Sequence, residues 1–368
     1  MILTDKSNAL LNMSGNLPPK VPHAFDAVYK AAVQNVLEAF APNELIGAHQ
    51  FRGSQRDRSL GARFLGRRLP QVPPADRVVV ANGTQSILMM LLAGLVGRNG
   101  RLALESLSYP TLLPFARQLG FQLSPVAMDE EGVLPDHFEA VCRSERPAAY
   151  YAMPTLQNPT TAVMSIERRQ AIAEICRQYG VTIIEDDIYS LLPKNVPPPL
   201  STFAPEISWY ILGTAKSLAA ALKVAYVLAP TARAAEERFW PGVRATYWMC
   251  APMNGSVVSS LIEMGAVDVV IDAVREETRA RHTLVADRLG SANMRSRPDC
   301  LHVWLSLPAN RPAIEFVAGV RALGVEVSVS STYAMDNAPP NAVRFGMGTP
   351  PDRAAFERGL AAIADVYL

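Results

Sequence analysis

Val181-Thr182-Ile183-Ile184-Glu185-Asp186-Asp187-Ile188-Tyr189 is an apolar run that ends in three carboxylates and a phenol. A short run of branched apolar residues predicts a buried strand. The preceding residues, Ile166 to Tyr179, have the spacing of an amphipathic helix and stop at Gly180. A carboxylate at such a strand end can cap a helix, bind a metal or pair with a cationic ligand. The spacing Asp186…Tyr189 holds a carboxylate and a phenol near one ligand.

The same alternation extends outward on both sides. Strands are expected at Val78–Val80, Leu102–Leu104, Phe121–Ala127, Ala148–Met153, Trp209–Leu212 and Val224–Leu228. Helices are expected at Gln85–Val96 and Thr111–Leu119, with another at residues 23–40. Strands alternating with helices predict an α/β fold with a mainly parallel sheet. After about residue 240 the pattern changes. A long helix over Gly255–Leu289, short strands at His302–Leu305, Val325–Val329 and Ala342–Phe345, and a helix over Pro351–Val366 predict a second, α+β domain. The arginines between Arg52 and Arg68 suit an exposed helix face.

Composition narrows the function classes. The chain has 368 residues, enough for about two domains. Its 35 Lys+Arg and 34 Asp+Glu leave a net charge of +1, which offers no basic field for a nucleic-acid backbone. Cys142, Cys176, Cys250 and Cys300 form no CxxC pair, and the five histidines form no HExxH or HxH cluster. No metal site is expected from them. The N-terminus lacks the layout of a signal peptide, and the strongest apolar run, Ile87–Val96, is shorter than the roughly 20 residues a bilayer requires. A cytoplasmic protein with neither nucleic acid nor membrane as partner is expected.

Three segments follow strand-like runs and carry reactive groups. Asn82-Gly83-Thr84-Gln85 leads into an apolar helix. It reads either as a phosphate site on a helix N-terminus or as a plain turn and cap. Gln157-Asn158-Pro159-Thr160 sits where open α/β sheets bind ligands, or is a proline turn. Gly213-Thr214-Ala215-Lys216 puts a lysine at a strand end among small apolar residues. There its pKa can fall and the amine become a nucleophile able to form a Schiff base.

Taken in order, these motifs with Tyr109 and Val343-Arg344-Phe345-Gly346 resemble the fold-type-I, pyridoxal-phosphate (PLP)-dependent aminotransferases of class I/II. With Ser14-Gly15-Asn16-Leu17-Pro18-Pro19 they look closest to the aminotransferase-like half of MocR-type proteins. The resemblance runs from about residue 10 to the end. It implies a large α/β/α domain over residues 40–260 and a small α+β domain from residues 1–39 and 261–368. It also implies a homodimer with PLP as cofactor and an amino acid and a 2-oxo acid as substrates. Lys216 would hold PLP as a Schiff base and then shuttle the Cα proton. Asp186 would pair with the ring N–H, and Asn158 and Tyr189 with the ring's phenolic oxygen. Tyr109 would stack on the ring, and Gly83, Thr84 and Gln85 would hold the phosphate. Arg344, with Asn16 and Asn158 nearby, would receive the substrate. The family's Ser-x-Ser-Lys is Gly213-Thr214-Ala215-Lys216 here, so Thr214 is the candidate to replace the phosphate-binding serine. The phosphate-binding arginine is Lys223, which keeps the charge without the fork of donors. The same residues serve elimination, decarboxylation, racemisation or oxidation, and also a non-catalytic PLP-binding sensor. The arm begins within about ten residues of Met1, so no winged helix is expected before it and a freestanding enzyme is favoured.

Overall fold

The computed structural model describes residues 10–290 and 293–368; the start of the arm, residues 1–9, lies outside them. A seven-stranded sheet is built from β1 (Val78–Ala81), β2 (Arg101–Glu105), β3 (Gln122–Val126), β4 (Ala149–Ala152), β5 (Thr182–Asp186), β6 (Ser208–Gly213) and β7 (Ala225–Leu228). The spatial order is β1-β7-β6-β5-β4-β2-β3. Neighbours from β6 across to β3 run parallel, and β7 is antiparallel to both β6 and β1. Every residue of β1, β4, β6 and β7 is buried. A sheet covered on both faces explains why these strands read as unbroken apolar runs.

The helices carry the expected stop signals. α6 (Ile166–Tyr179) starts where the Ser165 hydroxyl accepts from the Arg168 N–H and ends at left-handed Gly180. It follows α1 (Pro22–Ala39), α2 (Gln55–Leu65), α3 (Gly83–Leu91), α4 (Leu112–Leu119) and α5 (Pro135–Glu145). The long helix expected over 255–289 is two helices, α7 (Pro252–Glu263) and α8 (Ala266–Leu289). They break at Gly265, whose φ of +68° a helix does not accommodate. α1 packs on α7 and lends Ala32 and Val36 to the larger core.

A second sheet contains β8 (Met294–Arg295), β9 (His302–Ser306), β10 (Ser328–Val329) and β11 (Ala342–Gly346), all antiparallel in the order β8-β9-β11-β10. The strand expected at 325–329 is divided. Val325–Glu326 pairs with Leu11–Asn12 of the N-terminal arm, whereas β10 pairs with β11. Helices α9 (Ala313–Ala322) and α10 (Arg353–Tyr367) complete this part. Its core, with Val303, Phe316, Phe345 and Phe356, includes Met13 of the arm.

Nor is the arginine stretch a free surface. Arg68, largely covered, pairs with Asp187 at 3.2 Å, Arg52 pairs with Glu236 at 2.8 Å, and Arg67 pairs with Asp268. These charges tie the segments on either side of α2 to the rest of the molecule. Among the described residues no helix is long and apolar enough to cross a membrane.

Candidate active site

β1, β2, β4, β5 and β6 end at one edge of the sheet, and the segments that follow them surround two adjoining cavities of about 480 and 350 Å³. Lys216, Thr84, Tyr109, Thr111 and Ile188 line both. Binding at the carboxyl ends of parallel strands is the general rule for open α/β sheets.

The strand end at 185–187 sorts its carboxylates. Glu185 turns away and accepts from the Leu200 and Ser201 N–H groups, with the Arg169 guanidinium 3.8 Å off. Asp187 accepts from Arg68 and from the Tyr210 hydroxyl at 2.8 Å. Asp186 alone of the three lines the cavity. Its Oδ2 accepts from the Tyr151 hydroxyl at 3.0 Å, and its buried Oδ1 has no partner. Burial lifts its pKa to about 7, opposed by the Tyr151 hydrogen bond and the Lys216 charge.

Lys216 lies just beyond β6. Its ammonium donates to the Asn16 carbonyl of the arm and stands 5.9 Å from the Tyr189 ring centre. Burial, then the Arg344 and Lys223 charges, lower its pKa to about 8, against the pull of Asp186. A sizeable neutral fraction near pH 8 makes this amine a nucleophile.

Arg344, on β11, is buried. It donates to Asn158 Oδ1 at 2.8 Å and to the Ser14 carbonyl, and stacks 4.8 Å above the Tyr333 ring. Its Nε has no partner, and among the described residues no carboxylate pairs with it. A buried guanidinium without a counter-charge favours an anionic ligand. Tyr189 accepts from the Asn16 side-chain amide at 2.8 Å.

At the other end of the cavity α3 begins with no side-chain cap on its first N–H groups. Gly83 has φ +79°, which lets the turn form without a Cβ. Lys223 lies beside it, 3.6 Å from where a Gly83 Cβ would stand. Uncapped N–H groups with an adjacent ammonium make an anion cradle. The buried Thr84 hydroxyl has no partner, and a Cβ on Gly213 would come within 3.0 Å of it.

Most of the expected residues thus meet: Gly83, Thr84, Gln85, Tyr109 and Lys223 at one end, Asn16, Asn158, Asp186, Tyr189 and Arg344 at the other, with Lys216 between. Thr214 does not join them. Its hydroxyl is fully buried and donates to the Val224 carbonyl at 2.9 Å, so it is turned into the β6–β7 junction. Gln85 reaches the cavity, but its side-chain amide donates to the Tyr109 hydroxyl at 2.9 Å. Tyr151, Tyr333 and His302 have no motif to announce them, and Ser14 stands in the arm's motif without an assigned role. Trp248 is 44% exposed and lines the larger cavity.

The family profile for class I and II aminotransferases matches residues 8–355. The chain belongs to this family. A relative named as an uncharacterized HTH-type transcriptional regulator, YdeF of Bacillus subtilis, is 30% identical over 77% of this chain. The chain covers 62% of that regulator's length. An aromatic amino acid aminotransferase of Schizosaccharomyces pombe is 34% identical over 34% of this chain and 27% of its own. Among solved structures, the α-aminoadipate aminotransferase LysN of Thermus thermophilus superposes with a TM-score of 0.85 at 22% identity, covering 97% of this chain and 92% of its own. The Pyrococcus horikoshii kynurenine aminotransferase gives 0.86 at 17%, covering 98% and 91%. At these identities the superpositions establish the fold.

Proposed function

We propose that this class I and II family member is a PLP-dependent aminotransferase, moving an amino group between an α-amino acid and a 2-oxo acid. The observation that carries the reading is one cavity faced by three groups: an amine of lowered pKa, a buried carboxylate with one unpartnered oxygen and a buried guanidinium without a counter-charge. The donor set fits the cofactor. Asp186 Oδ1 lacks the donor that a ring N–H would provide, Lys216 is the amine to hold the aldehyde carbon, and the Gly83–Gln85 turn with Lys223 suits a phosphate.

When bound, PLP supplies the electron sink for the bond broken at the substrate Cα. Asp186, charged beside a ring N–H, keeps that ring protonated. Arg344 takes the substrate carboxylate through its guanidinium, and so orients the Cα–H bond toward Lys216. The Lys216 amine then accepts the Cα proton and returns it. The Tyr189 hydroxyl and the Asn158 amide would hold the ring's phenolic oxygen. Tyr109, held by Gln85, covers one side of the cavity. The family reading brings with it a homodimer, to be checked by sedimentation of the purified protein.

The test is a visible absorption spectrum of the protein with added PLP, before and after a pooled set of amino acids. Transamination requires a visible band that collapses with amino acids and returns with a 2-oxo acid, and that is absent from Lys216→Ala. A band that forms but never cycles would favour another PLP chemistry or a sensor. No band at all would sink the cofactor reading.

A further inference from the structure

His302, at the start of β9, is fully buried beside the cavity and belongs to none of the motifs. Its Nδ1 lies 3.0 Å from the Asn16 side-chain nitrogen and 3.6 Å from the Cys300 sulfur. The Gln157 and Pro159 carbonyls also stand at the ring, and because Nδ1 faces Asn16 and Cys300 they fall to Nε2, which has no formed hydrogen bond. Carbonyls only accept, so the ring proton belongs on Nε2. The thiol agrees, since burial pushes Cys300 up to about 12 and leaves it an S–H donor toward Nδ1. Burial and then the Arg344 charge, joined by that of Lys216, keep the imidazole neutral.

A neutral Nδ1 accepts, so the Asn16 amide must turn its NH2 toward it. That same NH2 lies 2.8 Å from the Tyr189 hydroxyl oxygen. One hydrogen goes to each, and Asn16 Oδ1 is left without a partner. Were the amide reversed, its oxygen would face the Nδ1 lone pair and would draw the Tyr189 proton to itself. The direction of the Asn16–Tyr189 hydrogen bond therefore depends on which nitrogen of His302 carries the proton.

We propose that His302 is a positioning residue: as the Nε2–H tautomer it fixes the Asn16 amide, and the fixed amide leaves the Tyr189 O–H free to donate into the cofactor cavity. This rests on the reading of the cavity as a PLP site. Tyr189 would touch the cofactor, whereas His302 acts through Asn16.

Two experiments test it. In the cofactor-free protein, 15N NMR of the imidazole should show the proton on Nε2 throughout pH 5 to 8. A proton on Nδ1, or an imidazolium in that range, overturns the proposal whether or not PLP binds. In the PLP-loaded protein, His302→Leu should raise the midpoint of the visible-band pH titration by about one unit and lower kcat about tenfold with KM little changed. The same substitution in a Tyr189→Phe background should add nothing, because the oriented proton is already gone. His302→Asn, which keeps an acceptor near the Nδ1 position, should restore the midpoint. An equal shift in both backgrounds, or no shift in either, overturns the proposal. If His302→Leu does not fold, the imidazole NMR of the wild type decides the point. Absence of any visible band in the wild type would instead count against the PLP reading, with the NMR result unaffected.

Discussion

The two ends of the cavity are built differently. At the Arg344 end the polar groups are buried and mostly joined: Arg344 to Asn158 and Ser14, Asn16 to Tyr189 and His302, Asp186 to Tyr151. At the Lys223 end they stand apart: Gly83 and Thr84 are only partly covered, Lys223 is exposed, and the Thr84 hydroxyl has no partner. The motif departures, Gly213 and Lys223, both fall at this open end. Pre-organised, dry groups act strongly on charge, whereas an exposed ammonium is screened. Under the proposed function, substrate orientation falls to the closed end and cofactor retention to a weaker, salt-sensitive cradle.

Substitutions at the closed end should have the largest effects. Asp186→Asn should reduce turnover about a thousandfold, because it removes the charge opposite a ring N–H. Its effect on stability should run the other way. In the cofactor-free protein burial raises the Asp186 pKa to about 7. Between about pH 4 and 7 the folded chain keeps a proton that the unfolded chain has released, so this group's contribution to stability falls as pH rises through that window. Thermal melts should show cofactor-free Asp186→Asn losing less stability than wild type between pH 5 and 8. A variant that melts lower than wild type at pH 8 would mean that this carboxylate is not a burden to the fold.

Arg344→Lys should lower kcat/KM about a hundredfold across amino acids, since an ammonium cannot form the paired contact. PLP affinity should hold, and steady-state kinetics beside a cofactor titration separates the two. Lys223→Ala should weaken PLP about tenfold, with kcat at saturating PLP little changed and the wild-type advantage shrinking in high salt. Equal salt sensitivity in Arg344→Lys would erase the contrast between the ends. Gly213→Ser should change PLP affinity least, within about threefold. Its Cβ must stand 3.0 Å from the Thr84 hydroxyl, so the added donor and the crowding oppose each other.

The order of strands and helices was legible because both faces of the main sheet are covered, which makes apolar runs unambiguous. Where the reading departed from the structure, a local break decided. Gly265 splits α7 from α8, and the arm takes Val325–Glu326 from what looked like one strand. Lys216, Asp186 and Arg344 stood out because each charge follows or interrupts an apolar run. Thr214 was misplaced because motif spacing says nothing about which way a hydroxyl turns. Tyr151 and His302 left no signal, for each lies in a buried strand and reads as part of its apolar run. Their partners come from other segments, which only the fold brings near.

The arm also bears on how the protein is made. Ser14 and Arg344 are bonded across 330 residues of sequence, and Asn16 and His302 across 286. Chains fold from the N-terminus during synthesis, and contacts so distant in sequence are slow to form. The large sheet has all its strands by Leu228, so it can assemble while translation continues. The Arg344 end waits for β11, which is made only after every strand of that sheet. A nascent chain stalled before residue 342 would own the lysine and its cradle but lack the guanidinium to which the proposed function gives the carboxylate.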